Sequence, residues 1–361
     1  PRSAIDATVD LLQGDTTRQA AGELVVGMLR REDLPPILAA AIEQRGLQAD
    51  HARSLLRDVR SGGGNPVLEA AIRKAGKLDD AAWKLTPEFS ARVLSLASRD
   101  GSPSRGEYVY RRAGLQCINC HAIGTAGGLV GPNLISVGGS SQPDYILESL
   151  IDPSAKLKEG YTTVTILTID SEVINGIVIG KTDDTIRLRL ADGKEQEIAI
   201  EDIELQKPGR SLMPAGALDE LTERELVDLV AFLSALGRSP EFTVSTEPLV
   251  RSFQTLNYTD EANRRLNRTS IDTAASEDPA MTWRDITARV DGTLPVEPLD
   301  RFQQHRETPP TSFAKFTIAL PRPGVAGIEL PSEGIEAWVD GKPMPARSLK
   351  SAPLSKGLHH I

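Results

Sequence analysis

The only two cysteines of the chain lie three positions apart, in the run Cys117-Ile118-Asn119-Cys120-His121. Two thiols at that spacing, with an imidazole directly after them, have three chemical uses. They can begin a zinc site, which takes about four ligands. They can form a redox pair, which belongs in a βαβ setting. Or they can hold one haem through thioether bonds, with the histidine as an axial iron ligand. The zinc reading lacks partners, because there is no second cysteine pair and no histidine pair with ligand spacing. The redox reading lacks its setting, because the motif ends a helical stretch and enters a glycine-rich loop from Gly124 to Gly139. Covalent haem on Cys117 and Cys120, with His121 beneath the iron, is therefore the expected chemistry. Thioether attachment is carried out outside the bacterial cytoplasm, so a periplasmic or other extracytoplasmic location is expected.

The elements that must position this motif follow from period and punctuation. Residues 1–100 are expected to be an all-α, helical-repeat-like segment. Apolar residues recur at helical spacing in Ile5, Val9 and Leu12, in Leu24, Val25 and Met28, and in Ile37, Leu38 and Ile42. Breaks fall at Gly14-Asp15, Pro35-Pro36, Gly46 and Ser61-Gly62-Gly63-Gly64, but no repeat period is sharp. Ser104 with Glu107 reads as a capping box for a helix running toward the cysteines. A helix from Pro143 to Leu150 follows the glycine loop, with Pro153 ending it.

The period then switches to two. Tyr161–Ile169, Val173–Lys181, Thr185–Leu190 and Glu197–Ile203 are rich in Ile, Val and Thr, with turn residues between them. They predict a small β-barrel of SH3-like or Sm-like type over 158–208. Thr222 and Glu225 form a second capping box, opening a helix with Leu226, Leu229, Val230, Leu233 and Leu236 on one face and Gly237 at its end. Residues 239–311 read as an irregular linker region. Alternation returns over 312–361, in Phe316, Ile318 and Leu320 and in Ile335, Ala337 and Val339, with Asp340-Gly341 as a tight hairpin turn. That stretch predicts a β-sandwich-like region, incomplete because the chain stops at His360-Ile361 within a strand.

Residues 101–238 carry a family resemblance. Gly106 with Tyr110, Leu229 with Phe232, the haem motif, and Gly131-Pro132-Asn133-Leu134 together resemble class I cytochromes c. The resemblance implies that an N-terminal helix crosses a C-terminal helix at those pairs. It also implies that the Pro132 carbonyl accepts the imidazole N–H of His121, fixing its tautomer and donor strength. It further implies a methionine as sixth iron ligand, in a short loop before the closing helix. Of Met28, Met213, Met281 and Met344, only Met213 lies between the haem motif and that helix. It sits in Ser211-Leu212-Met213-Pro214-Ala215-Gly216, whereas Met344-Pro345 follows a hairpin turn in the C-terminal region. Met213 follows His121 by 92 positions, and the inserted strands account for the excess; a long insertion adds little to the cost of closing a loop.

With Glu159-Gly160-Tyr161 and the Met213 loop, residues 111–237 are similar to the haem-binding domain of large secreted proteins of planctomycetes and verrucomicrobia. There the domain often follows helical repeats and a propeller-type sugar-dehydrogenase-like domain. The resemblance implies that residues 1–100 are the tail of such repeats and that Pro1 is a cut site. The N-terminus shows no basic segment followed by an apolar run, so any signal peptide is expected to be gone already.

Composition is that of a globular chain, 40% hydrophobic, 25% charged and 4% aromatic. No run approaches the roughly 20 apolar residues that span a bilayer, so no transmembrane segment is expected. A net charge of −9 disfavours nucleic acid as a partner. The expected function is electron transfer by a mono-haem cytochrome c: with both axial positions filled, the iron exchanges electrons and does not bind substrate. Methionine sulfur favours the ferrous state, so the potential is expected to be fairly high. The implied partners are a dehydrogenase donor, on the same polypeptide or docked, and a respiratory acceptor. Two other classes stay open. One is a haem-based gas sensor or enzyme with an open sixth site. The other is a glycan- or protein-binding module with accessory haem, in which Trp338 is either a binding or a core residue and Glu201 and Asp202 mark either a docking face or a solvated one.

Overall fold

A computed structural model describes residues 2–361 except 14–17, 30, 32, 62–63, 79–82, 113–114, 116, 215, 248, 304–308 and 327–333. The expectations at Pro1, Gly14-Asp15, Gly62-Gly63 and Ala215 lie outside the described residues. The chain is a mixture of helices and small antiparallel sheets, divided into two compact units, Pro1–Thr243 and Val244–Ile361. No helix among the described residues is long and apolar enough to cross a membrane.

The first unit begins with five short helices, α1 (Arg2–Leu12), α2 (Arg18–Met28), α3 (Leu34–Arg45), α4 (Ala49–Ser61) and α5 (Pro66–Ala75). They pack pairwise around one core that includes Ile5, Val9, Leu12, Val25, Leu38, Ile42, Leu55, Leu56, Leu68 and Ile72. The apolar spacing located α1, α2 and α3, although Leu24 and Ile37 stay exposed beside their buried neighbours Val25 and Leu38; it does not single out α4 and α5. Start signals are local: Asn65 accepts the Leu68 N–H at 3.0 Å, and Pro66 occupies the first helical position, where its missing N–H costs nothing.

Next come α6 (Pro87–Arg99), α7 (Pro103–Tyr110), the single turn α8 (Cys117–Cys120), α9 (Val137–Ser140), α10 (Pro143–Ile151) and, after the inserted strands, α11 (Glu223–Ala235). The cap of α7 is Ser102, which accepts the Arg105 N–H at 3.4 Å, and not the expected Ser104. Pro103 explains the shift: it is suited to the first helical position, so the chain enters the helix one residue earlier than the Ser104-Glu107 pattern suggests. The Thr222 capping box forms as expected, with Thr222 Oγ1 accepting the Glu225 N–H at 3.2 Å and Glu225 Oε2 accepting the Thr222 N–H at 2.9 Å. Beyond its expected apolar face, α11 also buries Val227, Asp228, Ala231 and Phe232, because α6, α7, α9 and α10 pack around it. Its crossing with α7 is close. A Cβ on Gly106 would fall 1.9 Å from the Asp228 carbonyl oxygen and 2.6 Å from Phe232 Cβ, so only glycine fits there. One turn on, Tyr110 meets Phe232 with ring centroids 5.7 Å apart.

The insertion forms β1 (Thr163–Thr168), β2 (Val173–Lys181), β3 (Thr185–Arg189), β4 (Glu195–Ala199) and β5 (Ile203–Pro208). All are antiparallel, in the order β4-β3-β2-β1-β5. This corrects the expected barrel: β4 and β5 are the two edges and do not pair, so the sheet is open. The expected strand over 197–203 is two strands separated by a 3-10 turn at Ile200–Asp202, and that turn carries the chain from one edge of the sheet to the other. The core-facing side holds Val164, Ile166, Ile174, Ile186, Leu188 and Ile198.

The second unit corrects the expectation of an irregular 239–311. It contains β6 (Ser252–Leu256), α12 (Asp260–Arg268), β7 (Trp283–Thr287) and β8 (Ala314–Lys315), with the strands in the order β7-β6-β8. Leu256, Ala262, Leu266, Met281, Phe302 and Phe313 form its core, and the rings of Phe302 and Phe313 meet edge-on at 5.6 Å. These apolar residues are single and far apart in sequence, which hid the core from a periodicity argument.

Further on lie β9 (Thr317–Leu320), β10 (Gly324–Ala326), β11 (Ala337–Val339), β12 (Lys342–Met344), β13 (Ala352–Leu354) and β14 (Gly357–His360). They pair as β9–β14, β10–β13 and β11–β12. Among the described residues these two-stranded ladders replace the expected sandwich. The Asp340-Gly341 turn has positive φ at both positions, 49° and 75°, as a two-residue hairpin requires. Met344 packs on the small core of Ala337, Val339, Leu349, Ala352 and Leu354, and the Trp338 indole donates to Asp272 Oδ1 at 2.7 Å.

Candidate functional site

Cys117 and Cys120 begin and end the single turn α8, and the His121 N–H closes it on the Cys117 carbonyl at 2.9 Å. Residues three apart on a helical turn share a face, so both thiols address the same side. They are free and half-buried. Burial pushes the Cys117 thiol up to about 11 and raises that of Cys120 as well. Both therefore stay protonated at neutral pH, without the lowered thiol that a disulfide oxidoreductase uses as nucleophile.

The glycine-rich segment folds back over this turn through backbone bonds. The Gly128 N–H donates to Ile118 O at 2.8 Å, Gly131 to Cys120 O at 2.7 Å, and Leu134 to Ala122 O at 2.8 Å. Asn133 stitches the far side: it accepts the Gly124 and Ile135 N–H groups at 3.2 and 3.0 Å and donates to Gly124 O at 2.6 Å. That role was not foreseen, although an Asn after Gly-Pro is a turn signal. Gly131 is pressed against the imidazole, since a Cβ there would lie 2.4–2.8 Å from three ring atoms of His121.

His121 is held at both ends. Its Nδ1 lies 2.9 Å from the Pro132 carbonyl oxygen, and its own carbonyl accepts the Tyr110 hydroxyl at 2.6 Å. A carbonyl can only accept, so the ring proton sits on Nδ1 and the Nε2 lone pair is left for a ligand. Burial lowers the imidazole below its usual value, with the Pro132 bond opposing, so the neutral form prevails at pH 7. Tyr110, deeply buried, has its hydroxyl raised by desolvation and stays a donor.

Among the described residues, no three His, Cys, Asp or Glu side chains converge tightly enough to hold a metal ion. The two thiols and the imidazole nitrogen thus do not share one centre, as a zinc site would demand. Thiols on one face with a separately oriented, tautomer-fixed imidazole fit a ligand that takes thioethers at its edge and nitrogen at its iron. Leu129, 70% exposed, adds an uncovered apolar side chain beside this motif.

Met213 lies in the loop between β5 and α11, half-buried, with its N–H on Ser211 Oγ at 3.2 Å. Ser211 in turn donates its N–H to Ser154 Oγ at 3.3 Å. The structure brings Cys117, Cys120, His121 and Pro132 together through α8 and the backbone bonds that follow it, and the described hydrogen bond of the Met213 loop is to Ser211. His51 is buried among the N-terminal helices, and His359 is bonded to Asp340 in the second unit.

The segment after Met213 is fastened to the N-terminal helices, which the sequence did not reveal. The Trp83 indole donates to Leu218 O at 3.0 Å, and Arg53 stacks over that indole at 4.2 Å. Glu225 receives Arg57 at 3.1 Å and Arg112 at 2.6 Å. Burial would raise the Glu225 carboxyl, but the two guanidiniums and the Thr222 N–H hold it below the usual range. No family model and no curated protein matches the chain.

Proposed function

We propose that this chain is a mono-haem cytochrome c that transfers single electrons. The observation that carries the reading is the 2.9 Å contact from His121 Nδ1 to the Pro132 carbonyl, directly after two thiols one helical turn apart. Supporting it are the close crossing of α7 and α11 at Gly106 and the Tyr110–Phe232 contact, which are the helix pairs of the class I resemblance. In this reading Cys117 and Cys120 carry the thioethers and His121 binds iron through Nε2. Pro132 keeps the proton on Nδ1 and strengthens the donor. Met213 is the sixth ligand, with Pro214 holding the residue before it away from helix. The bound haem would supply a one-electron couple, and the protein residues set its potential through ligand identity and burial. The donor is a dehydrogenase on the same polypeptide or docked to it, the acceptor is respiratory, and the location is extracytoplasmic.

Visible spectra of the oxidised and reduced protein test this, with and without carbon monoxide. A low-spin ferrous spectrum, slow carbon monoxide binding and a weak sulfur-to-iron band are expected. The Met213→Ala variant is expected to lose that band and bind carbon monoxide, while Met344→Ala changes neither. Rapid carbon monoxide binding by a high-spin wild type would instead favour a sensor or enzyme with an open sixth site.

A further inference from the structure

The inserted sheet reaches the haem-motif loop through β3 and the turn that follows it. Arg189, at the end of β3, donates from Nη1 to the Leu129 carbonyl at 3.1 Å, across 60 positions of sequence. Its other terminal nitrogen is held by Glu195 Oε1 at 3.2 Å, on the paired strand β4. The turn between those strands also comes close to the loop: a Cβ added at Gly193 would sit 3.6 Å from Val130 Cγ2. Val130 is buried, although the Leu129 side chain before it is not. Two residues later the same backbone run reaches the imidazole. Gly131 bonds to Cys120 and packs on the His121 ring, and Pro132 accepts its Nδ1 proton. Leu129 to Pro132 is thus a four-residue strut, with the sheet at one end and the ligand at the other.

We propose that Arg189 is a positioning residue for His121, acting through the Leu129–Pro132 segment, so that the insertion tunes the axial ligand. This rests on the haem reading above. A positioned Pro132 carbonyl makes the imidazole a stronger donor and favours ferric iron. Without Arg189 the strut loosens, that bond lengthens, and the equilibrium moves toward ferrous iron. The sign is informative. Removing a nearby positive charge by Coulomb effect alone favours ferric iron, the opposite direction.

The test is the reduction potential of the purified haem-bearing full chain as wild type, Arg189→Ala, Arg189→Lys and Arg187→Ala. It is read together with the hyperfine-shifted ring resonances of His121 in the ferric state. Arg189→Ala is expected to shift the equilibrium toward ferrous iron about threefold or more, about 28 mV upward at 59 mV per tenfold for one electron, and to move the ring resonances. Lysine, whose ammonium also donates to a carbonyl, is expected to recover part of the shift. Arg187→Ala, which removes an exposed charge from the same strand, is expected to lower the potential or leave it unchanged. A potential that falls or stays put in Arg189→Ala, with unmoved resonances, overturns the positioning role and leaves the haem reading intact. A wild type that carries no haem overturns both.

Discussion

Gly131→Ala probes the site most directly through packing. The added Cβ would sit 2.4 Å from His121 Cε1, 2.6 Å from Nδ1 and 2.8 Å from Nε2. Ordinary carbon contacts begin near about 3.5 Å, so ring and loop must separate by about 1 Å. The ring is pinned by the 2.9 Å bond to Pro132, and a displacement of that size carries the bond past hydrogen-bonding range. Overpacking costs about 1–3 kcal/mol and the lost bond about 1 kcal/mol, together about 2–4 kcal/mol. Urea unfolding of the purified protein, followed by far-UV circular dichroism, measures the loss, and haem absorbance per mole of protein measures maturation. Both are expected to fall. Gly27→Ala on α2 is the control, because an added Cβ there meets nothing within 4 Å and the helix gains up to about 1 kcal/mol in propensity. A Gly131→Ala protein as stable as wild type, with an unchanged spectrum, would refute the claim that the imidazole is locked in this position.

Further outcomes follow from the supports of the site. Glu225→Gln is expected to destabilise the first unit at neutral pH by removing the carboxylate shared by Arg57 and Arg112. The folded Glu225 carboxyl lies below its ordinary value of 4.5, so its contribution is complete above that pH and disappears as pH falls through the folded value. Stability titrations of wild type and variant should therefore run parallel above about pH 6 and converge in acid; a gap unchanged at pH 3 would contradict this. Tyr110→Phe leaves the His121 carbonyl without its 2.6 Å donor. A loss of about 1–3 kcal/mol in urea unfolding is expected, with the Tyr110–Phe232 ring contact retained. Asp228→Asn weakens the buried carboxylate that accepts the Ser102 N–H at 2.7 Å and Arg105 Nε at 2.7 Å. Thermal melts should show a loss of about 1.5–3 kcal/mol, the range for bonds to a charged group.

The sequence made the motif legible because its signals are local. Cys117, Cys120 and His121 are contiguous, the Thr222–Glu225 box spans one turn, and Asp340-Gly341 is a turn by itself. The Pro132 and Gly106 contacts span longer distances, and a family resemblance supplied both. What stayed hidden depends on side chains that meet from remote parts of the chain. Trp83 finds Leu218, Arg57 finds Glu225, and Arg189 finds Leu129, none of which any periodicity announces. The strand error near Ile200 has a similar origin: an Ile-rich run reads as one extended strand, yet the 3-10 turn sends its second half across to β1. In the second unit, Phe302 and Phe313 lie apart in polar surroundings, and only folding joins them into a core.

The central claim is that the two thiols of α8 carry one haem covalently. Mass spectrometry of the protein after extraction in acid and organic solvent measures this, followed by digestion to the peptide that contains residues 117–121. Colour is expected to stay with the protein, and this peptide to carry one haem and no free thiol. Haem passing freely into the solvent, or a peptide with Cys117 and Cys120 unmodified, would contradict it.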